Sequence, residues 1–142
     1  MIGKLQSNKA KDAIKIFDYV HSLDNQKLAD ALAKHQRNLN KKIEYFIQVN
    51  TGDESQKSGV ILSEADKFIS TCIENYNVNI TGLMCIPPFN DDPKKHFLML
   101  SDMAKNFNLP SLSMGMSNDY EIALSCGATH IRIGTKIFGE RN

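Results

Sequence analysis

LSMGMSNDYEIALSCGATHIRIGTKIFGER, residues 112–141, decides the fold. Two short apolar runs, Leu112–Met116 and His130–Gly134, each end in small or hydroxyl-bearing residues, and the segment between them is just long enough for a compact helix. Parallel strands need a crossover of about a dozen residues, usually helical, so the stretch reads strand, helix, strand, with two parallel strand ends delivered to the same side. Within the second run Arg132 alternates with Ile131 and Ile133 and therefore points to the opposite face from both. A guanidinium turned into an apolar interior is costly unless paired, which predicts a ligand or a carboxylate beside it.

Working outward, the same unit recurs. Apolar runs rich in β-branched or aromatic residues fall at Tyr19–Leu23, Tyr45–Asn50 and Ile80–Ile86, and Met1–Leu5 reads as the tail of a further strand followed by a short helix over Lys9–Phe17. Between them the spacing predicts helices over Asn25–Lys42, with Leu28, Ala29, Leu32 and Ala33 on one face, over Ser63–Asn75, and over Pro93–Phe107, where Phe97, Leu100, Met103, Ala104 and Phe107 form a stripe. Six strand-helix steps in succession are an α/β pattern with parallel strands. A doubly wound open sheet normally carries a GxGxxG turn after its first strand, and none stands here. The alternative is a (β/α)8 barrel, which six units are too few to close.

Composition narrows the partner. Net charge is +1, and 14 Lys are scattered among 16 acids without a basic block, so neither nucleic acid nor an anionic membrane is expected and a small molecule is. Cys72, Cys85 and Cys126 lie far apart and read as reduced, buried thiols. The four His lack metal-ligand spacing, so no zinc site is expected. MIGKLQSNKAKD lacks the apolar core of a signal peptide and no run suits a bilayer span, so a cytoplasmic location is expected. The whole of 1–142 reads as one domain.

Several strand ends are built for an anion. Asn50-Thr51-Gly52, Ser113-Met114-Gly115-Met116-Ser117-Asn118 and Gly134-Thr135 combine glycine, hydroxyls and free amides, the groups that receive a phosphate. Barrels often hold a phosphate on the loops after their seventh and eighth strands. If Leu112–Met116 and His130–Gly134 are those strands, Ser117, Gly134 and Thr135 fall at that place. The plain alternative is that these are turns only, with Ser117 or Asn118 capping a helix over Asp119–Ser125.

The stretches IGKLQSNKAK (2–11), VHSLDNQKLA (20–29), FIQVNTGDESQKSGV (46–60), GLMCIPP (82–88), LSMGMSNDYEIAL (112–124) and GATHIRIGTKIFGER (127–141) together resemble the YggS/PROSC family, the pyridoxal 5′-phosphate (PLP) homeostasis proteins, whose fold is like the barrel domain of alanine racemase. The resemblance runs in order along the chain. It implies that Ser113, Met114, Gly115, Met116 and Ser117, with Gly134 and Thr135, form the PLP phosphate cup. It also implies that Arg132 faces the pyridine nitrogen, and that Asn8 and Asn50 are polar positions around the cofactor. A permanent cation at that nitrogen disfavours its protonation and weakens the ring as an electron sink, so a carrier or buffer of PLP is expected in place of carbanion chemistry.

The family's Schiff-base lysine lies in a segment resembling AVSKTKP on its first strand, and no such segment occurs in these 142 residues. The expectation is an incomplete barrel, third to eighth units, that binds PLP weakly and without a covalent bond. Lys4, Lys57 and Lys136 lie near strand ends but read as solvated lysines. An incomplete barrel is further expected to expose its sheet edges and its apolar lumen, and so to self-associate. The rival enzyme reading, a PLP-dependent racemase-like fragment, needs that lysine and a tyrosine on the opposite face; Tyr19, Tyr45, Tyr76 and Tyr120 are the tyrosines available, and no complete catalytic set is legible. A remnant without cofactor is the third reading.

Overall fold

A computed structural model describes residues 1–140; Arg141, which closes the last matching stretch, and Asn142 lie outside the described residues. After a 3-10 turn at Ser7–Lys9 the chain runs through α1 (Ala10–Ile16), β1 (Tyr19–Leu23), α2 (Gln26–Leu39), β2 (Glu44–Asn50), the two-residue β3 (Val60–Ile61) and α3 (Leu62–Asn75). It continues through β4 (Asn79–Cys85), α4 (Pro93–Asn106), β5 (Ser111–Met116), α5 (Tyr120–Ser125), β6 (His130–Arg132) and α6 (Thr135–Phe138). Each strand pair is parallel, in the order β1-β2-β4-β5-β6, with β3 paired to the end of β2.

Local chemistry explains the helix ends. Asn25 Oδ1 accepts from the Leu28 amide at 2.9 Å and starts α2, and Asn40 in the left-handed region (φ 47°) stops it. Asp92 caps α4 at the Lys94 amide (3.0 Å), and Pro93 follows, where its missing N–H is not needed.

Side chains alternate along each strand and divide the interior into two layers. Val20, Leu23, Tyr45, Ile47, Val49, Leu83, Cys85, Leu112 and Met114 face the helices and join Leu28, Leu32, Ile69, Phe97 and Leu100 in one core. His21, Phe46, Met84, Ser113 and Arg132 lie on the other face. That face is strongly curled. Five strands about 4.8 Å apart would hold the edges of a flat sheet about 19 Å from one another, yet the His21 ring of β1 lies 5.7 Å from the His130 ring of β6, and Tyr19 lies 6.2 Å from His130. The sheet is a parallel half-barrel whose two edge strands touch across the concave side.

Three expectations need correction. Met1–Leu5 is not a strand: only Met1 engages the sheet, donating from its amino group to Tyr19 O (2.5 Å) and accepting from the His21 amide (2.8 Å). These two bonds flank Val20 in the manner of one parallel bridge, and the chain then turns away. The last strand stops at Arg132, because the Gly134 carbonyl and amide serve α6 and Ser117 in place of the ladder. The apolar lumen is not laid open either. Phe46 and Met84 are fully buried, and the curl brings His21 and His130 over Phe46. The three cysteines are free and buried, as expected, and no helix among the described residues is long and apolar enough to cross a membrane.

Candidate functional site

The carboxyl ends of β4, β5 and β6 open on a cleft of about 1000 Å³, lined by Ile86–Phe89, Met116–Asp119 and Ile131–Thr135, with Lys57 on its wall. Its size suits a small organic ligand. Arg132 is the charged floor. One Nη donates to Ser113 Oγ (2.8 Å), and the other reaches past β5 to the Cys85 carbonyl (2.8 Å). Burial pulls its pKa down from the ordinary arginine value, but a guanidinium remains charged. Among the described residues no carboxylate pairs with it, and two acceptors for five N–H donors leave three unspent.

Ser117 ties the two strand ends together. Its buried Oγ accepts from the amides of Gly134 (3.2 Å) and Lys136 (3.4 Å). It does not cap α5, whose N-cap is Asp119, so the expected cap by Ser117 or Asn118 is corrected; Asp119 Oδ1 instead accepts from the Met116 amide at 2.6 Å. Thr135 opens α6 at the cleft rim, exposed. A Cβ added to Gly134 would meet nothing within 4 Å and would project into open space.

The other residues of the expected cup divide differently. Ser113 is fully buried, deep on the concave face, where its Oγ meets Arg132 and His21 Nδ1, both at 2.8 Å. Met114 packs in the helix-side core. Gly115 carries φ +93°, and a Cβ there would lie 2.6 Å from Ala123 Cβ, so its glycine serves the packing of α5. It sits where the β5–β6 register shifts, which is how Met116 comes to lie exposed at the cleft. Asn50 is spent on its own turn, donating from Nδ2 to Glu54 O (2.8 Å) and accepting from the Glu54 amide (3.2 Å). Asn8 is exposed beside Lys27, Asp30 and Lys34 of α2, away from the cleft. Of the ten expected positions, the structure brings Met116, Ser117, Arg132, Gly134 and Thr135 together, with Ser113 beneath them.

Sequence reading missed three contributors. His96 bonds through one ring nitrogen to Thr51 O (3.1 Å) and through the other to Asp91 Oδ2 (3.0 Å), fastening the β2 end to the loop before α4. Lys57 pairs with Glu54 at 2.5 Å and donates to Pro87 O (3.3 Å). His21 stacks on Phe46 with centroids 4.2 Å apart, and its pKa is lowered to about 4, first by burial and then by the Met1 amino group, His130 and Arg132. Nothing in a lone histidine on a short strand signals such contacts before the strand order is known. None of the tyrosines lines the cleft: Tyr45 is buried with its hydroxyl on Gln36, and Tyr120 takes up Lys136. No cluster of metal-ligating side chains occurs among the described residues.

A neutral His21 has a measurable consequence. Between its ordinary pKa of 6.5 and its folded value near 4 the unfolded chain binds a proton that the folded chain refuses. Stability therefore falls as pH drops through that window, by about 3 kcal/mol, and levels off below it. Urea midpoints of the wild type and His21→Asn across pH 7 to 4 check this, because only the wild type carries that share of the slope.

A curled parallel α/β sheet with a cleft at its carboxyl strand ends is the architecture of a barrel-type α/β domain. The family model described as alanine racemase, N-terminal domain, matches residues 1–142. The pyridoxal phosphate homeostasis proteins of Aquifex aeolicus and Escherichia coli are 40% and 35% identical to the chain over 99% of its length. The chain spans 65% and 64% of those two relatives. PipY of Synechococcus elongatus, solved with PLP bound, superposes with a TM-score of 0.86 at 33% identity, covering 96% of this chain and 68% of that one. Alanine racemase of Corynebacterium glutamicum shares the fold with a TM-score of 0.74 at 17% identity, over 99% of this chain and 42% of that one. The chain belongs to the alanine racemase N-terminal domain family and, within it, to the pyridoxal phosphate homeostasis proteins.

Proposed function

We propose that this chain binds PLP as a carrier or buffer, holding it without a covalent bond through the residues described above. The observation that carries the reading is the Arg132 guanidinium, half-buried and without an ion-paired carboxylate among the described residues, facing a cleft rimmed by Ser117, Gly134 and Thr135, with Asp119 acting on it only at longer range. The donor set fits the group. An aromatic aldehyde phosphate needs an anion seat and a partner for its ring nitrogen. The Ser117 and Thr135 hydroxyls and the room above Gly134 supply the first, and Arg132 the second. When bound, PLP brings an electrophilic aldehyde; Arg132 keeps the ring nitrogen unprotonated and so restrains carbanion chemistry. Ser113 supports Arg132 in this scheme and takes no part in the phosphate seat.

In the same reading the strands are those of the third to eighth units of an eight-unit barrel, with Met1 holding the place of the third strand by its two bonds to β1. The test is to mix the chain with PLP, separate by gel filtration, and measure mass after borohydride. Co-elution without mass gain is expected. A mass gain would mean a lysine imine, and no co-elution would favour a remnant without cofactor.

Thr135→Ala is expected to weaken retention by about tenfold to a hundredfold, the worth of one charge-assisted hydrogen bond, read by a fluorescence titration; unchanged affinity would move the phosphate elsewhere. Self-association belongs to the same proposal. The short β6 edge and the exposed Phe89, Ile137 and Phe138 leave apolar surface uncovered, so light scattering should report a dimer or larger, and a monomer at all concentrations would refute it.

A further inference from the structure

We propose that His21 is a positioning residue for Arg132, a proton-controlled latch acting through the Ser113 hydroxyl; the consequence for the ligand rests on the PLP reading above. The argument is a count of protons. Ser113 Oγ is fully buried and has two neighbours among the described residues, an Arg132 Nη and His21 Nδ1, each at 2.8 Å. The guanidinium can only donate, so the serine oxygen accepts from it. The serine proton then needs an acceptor, and Nδ1 of a neutral imidazole is the acceptor at hand. His21 is thereby fixed as the tautomer that carries its hydrogen on Nε2, and the run His21, Ser113, Arg132, Cys85 O becomes one directed chain of hydrogen bonds.

Protonating His21 breaks the count. Nδ1–H would become a second donor to Ser113 Oγ, whose two lone pairs are then filled by it and by the Arg132 Nη–H, and the serine proton is left without an acceptor at a buried site. The orphaned hydroxyl favours a turn of the Ser113 side chain toward another acceptor, and in that arrangement Arg132 loses one of its two anchors. The groups facing His21 all oppose that protonation or are neutral: the Met1 amino group and Tyr19 on its own strand, the stacked Phe46 of β2, Ser113 of β5, and His130 and Arg132 of β6. Glu44 acts on Tyr19, further out. The lowered pKa of His21 agrees with this arrangement. The latch is closed at neutral pH and opens on acidification, loosening the cation that meets the ligand's ring nitrogen.

Two variants separate this from plain structural support. Asparagine at position 21 offers Oδ1 near the place of Nδ1 and cannot be protonated; phenylalanine offers no acceptor. PLP affinity measured by fluorescence from pH 7.5 to 3.5, a range that crosses the folded His21 value near 4, should fall about fourfold more in the wild type than in His21→Asn. The affinity of His21→Phe should already be about tenfold weaker at pH 7.5. The comparison cancels the titration of the ligand's own phosphate. Equal pH dependence in the wild type and His21→Asn would overturn the latch.

A second readout needs no PLP. Nitrogen-15 NMR of the wild type at pH 7 should find His21 protonated on Nε2 only, with the slowly exchanging guanidinium protons of Arg132 broadening as His21 titrates. A hydrogen on Nδ1, or Arg132 signals indifferent to that titration, would overturn the latch even if the chain proved not to retain PLP, an outcome that would refute the functional reading alone.

Discussion

Arg132→Ala is expected to weaken PLP retention about a hundredfold or more while the chain stays folded. The side chain is a half-buried cation that spends two N–H groups on the protein and directs the remainder at the cleft. Removing it deletes a charge-assisted contact to the ligand, worth about 1.5–3 kcal/mol, and also frees the Ser113 hydroxyl and the Cys85 carbonyl that had set its direction. The protein loses less than the ligand does. Ser113 keeps His21, and the Cys85 thiol, pushed up to about 12 by burial, stays protonated whether or not a cation lies near it. Lysine is the informative control. It restores charge but not the fork that holds Ser113 and Cys85 at once, so Arg132→Lys should recover only part of the affinity. Full retention of PLP by Arg132→Ala, read by gel filtration and fluorescence, would mean that the cleft at β4–β6 is not the binding place.

The fold was legible where the residues themselves impose a period. Tyr19–Leu23 is a strand with the expected bounds, Leu28, Ala29, Leu32 and Ala33 are buried together, and the α4 stripe buries Phe97, Leu100 and Ala104. The alternation of Arg132 with its isoleucines correctly put the guanidinium on the concave face. What stayed hidden was direction within a strand end. The LSMGMS run looks like one cup, but its pleat sends Ser113 inward and Met114 into the helix layer. A left-handed glycine then shifts the register, so that only Met116 and Ser117 reach the cleft. Asn50 posed a related ambiguity: an asparagine at a strand end can bond a ligand or its own turn, and the coordinates show its amide engaged with Glu54 of that turn. The partnership of His21 with Ser113 joins residues far apart in the chain, one on an edge strand and one on β5, and depends on the curl of the whole sheet.

Gly82→Ala is expected to be the most damaging single-methyl change in the sheet, lowering stability by about 3–5 kcal/mol and the melting temperature by roughly 10–15 °C. Gly82 lies in the middle of β4, opposite Ser111 at the start of β5. A Cβ there would stand 2.0 Å from the Ser111 carbonyl oxygen and 2.6 Å from its carbonyl carbon. Those are backbone atoms of a neighbouring strand, so no side-chain rotation relieves the clash, and β4 and β5 must separate just where their ladder begins. That ladder carries Met84 opposite Ser113, so the separation should travel to Arg132, and any folded remainder should bind PLP poorly. Gly134→Ala is the matched opposite. Its Cβ meets nothing within 4 Å, so stability should change by less than about 1 kcal/mol, while the methyl occupies room assigned to the phosphate and reduces affinity. Urea midpoints together with PLP titration of the two variants distinguish a glycine kept for packing from one kept for the ligand. If Gly82→Ala unfolds at the wild-type midpoint, the close approach of β4 to β5 is wrong, and if Gly134→Ala binds PLP normally, the phosphate does not sit between the two strand ends.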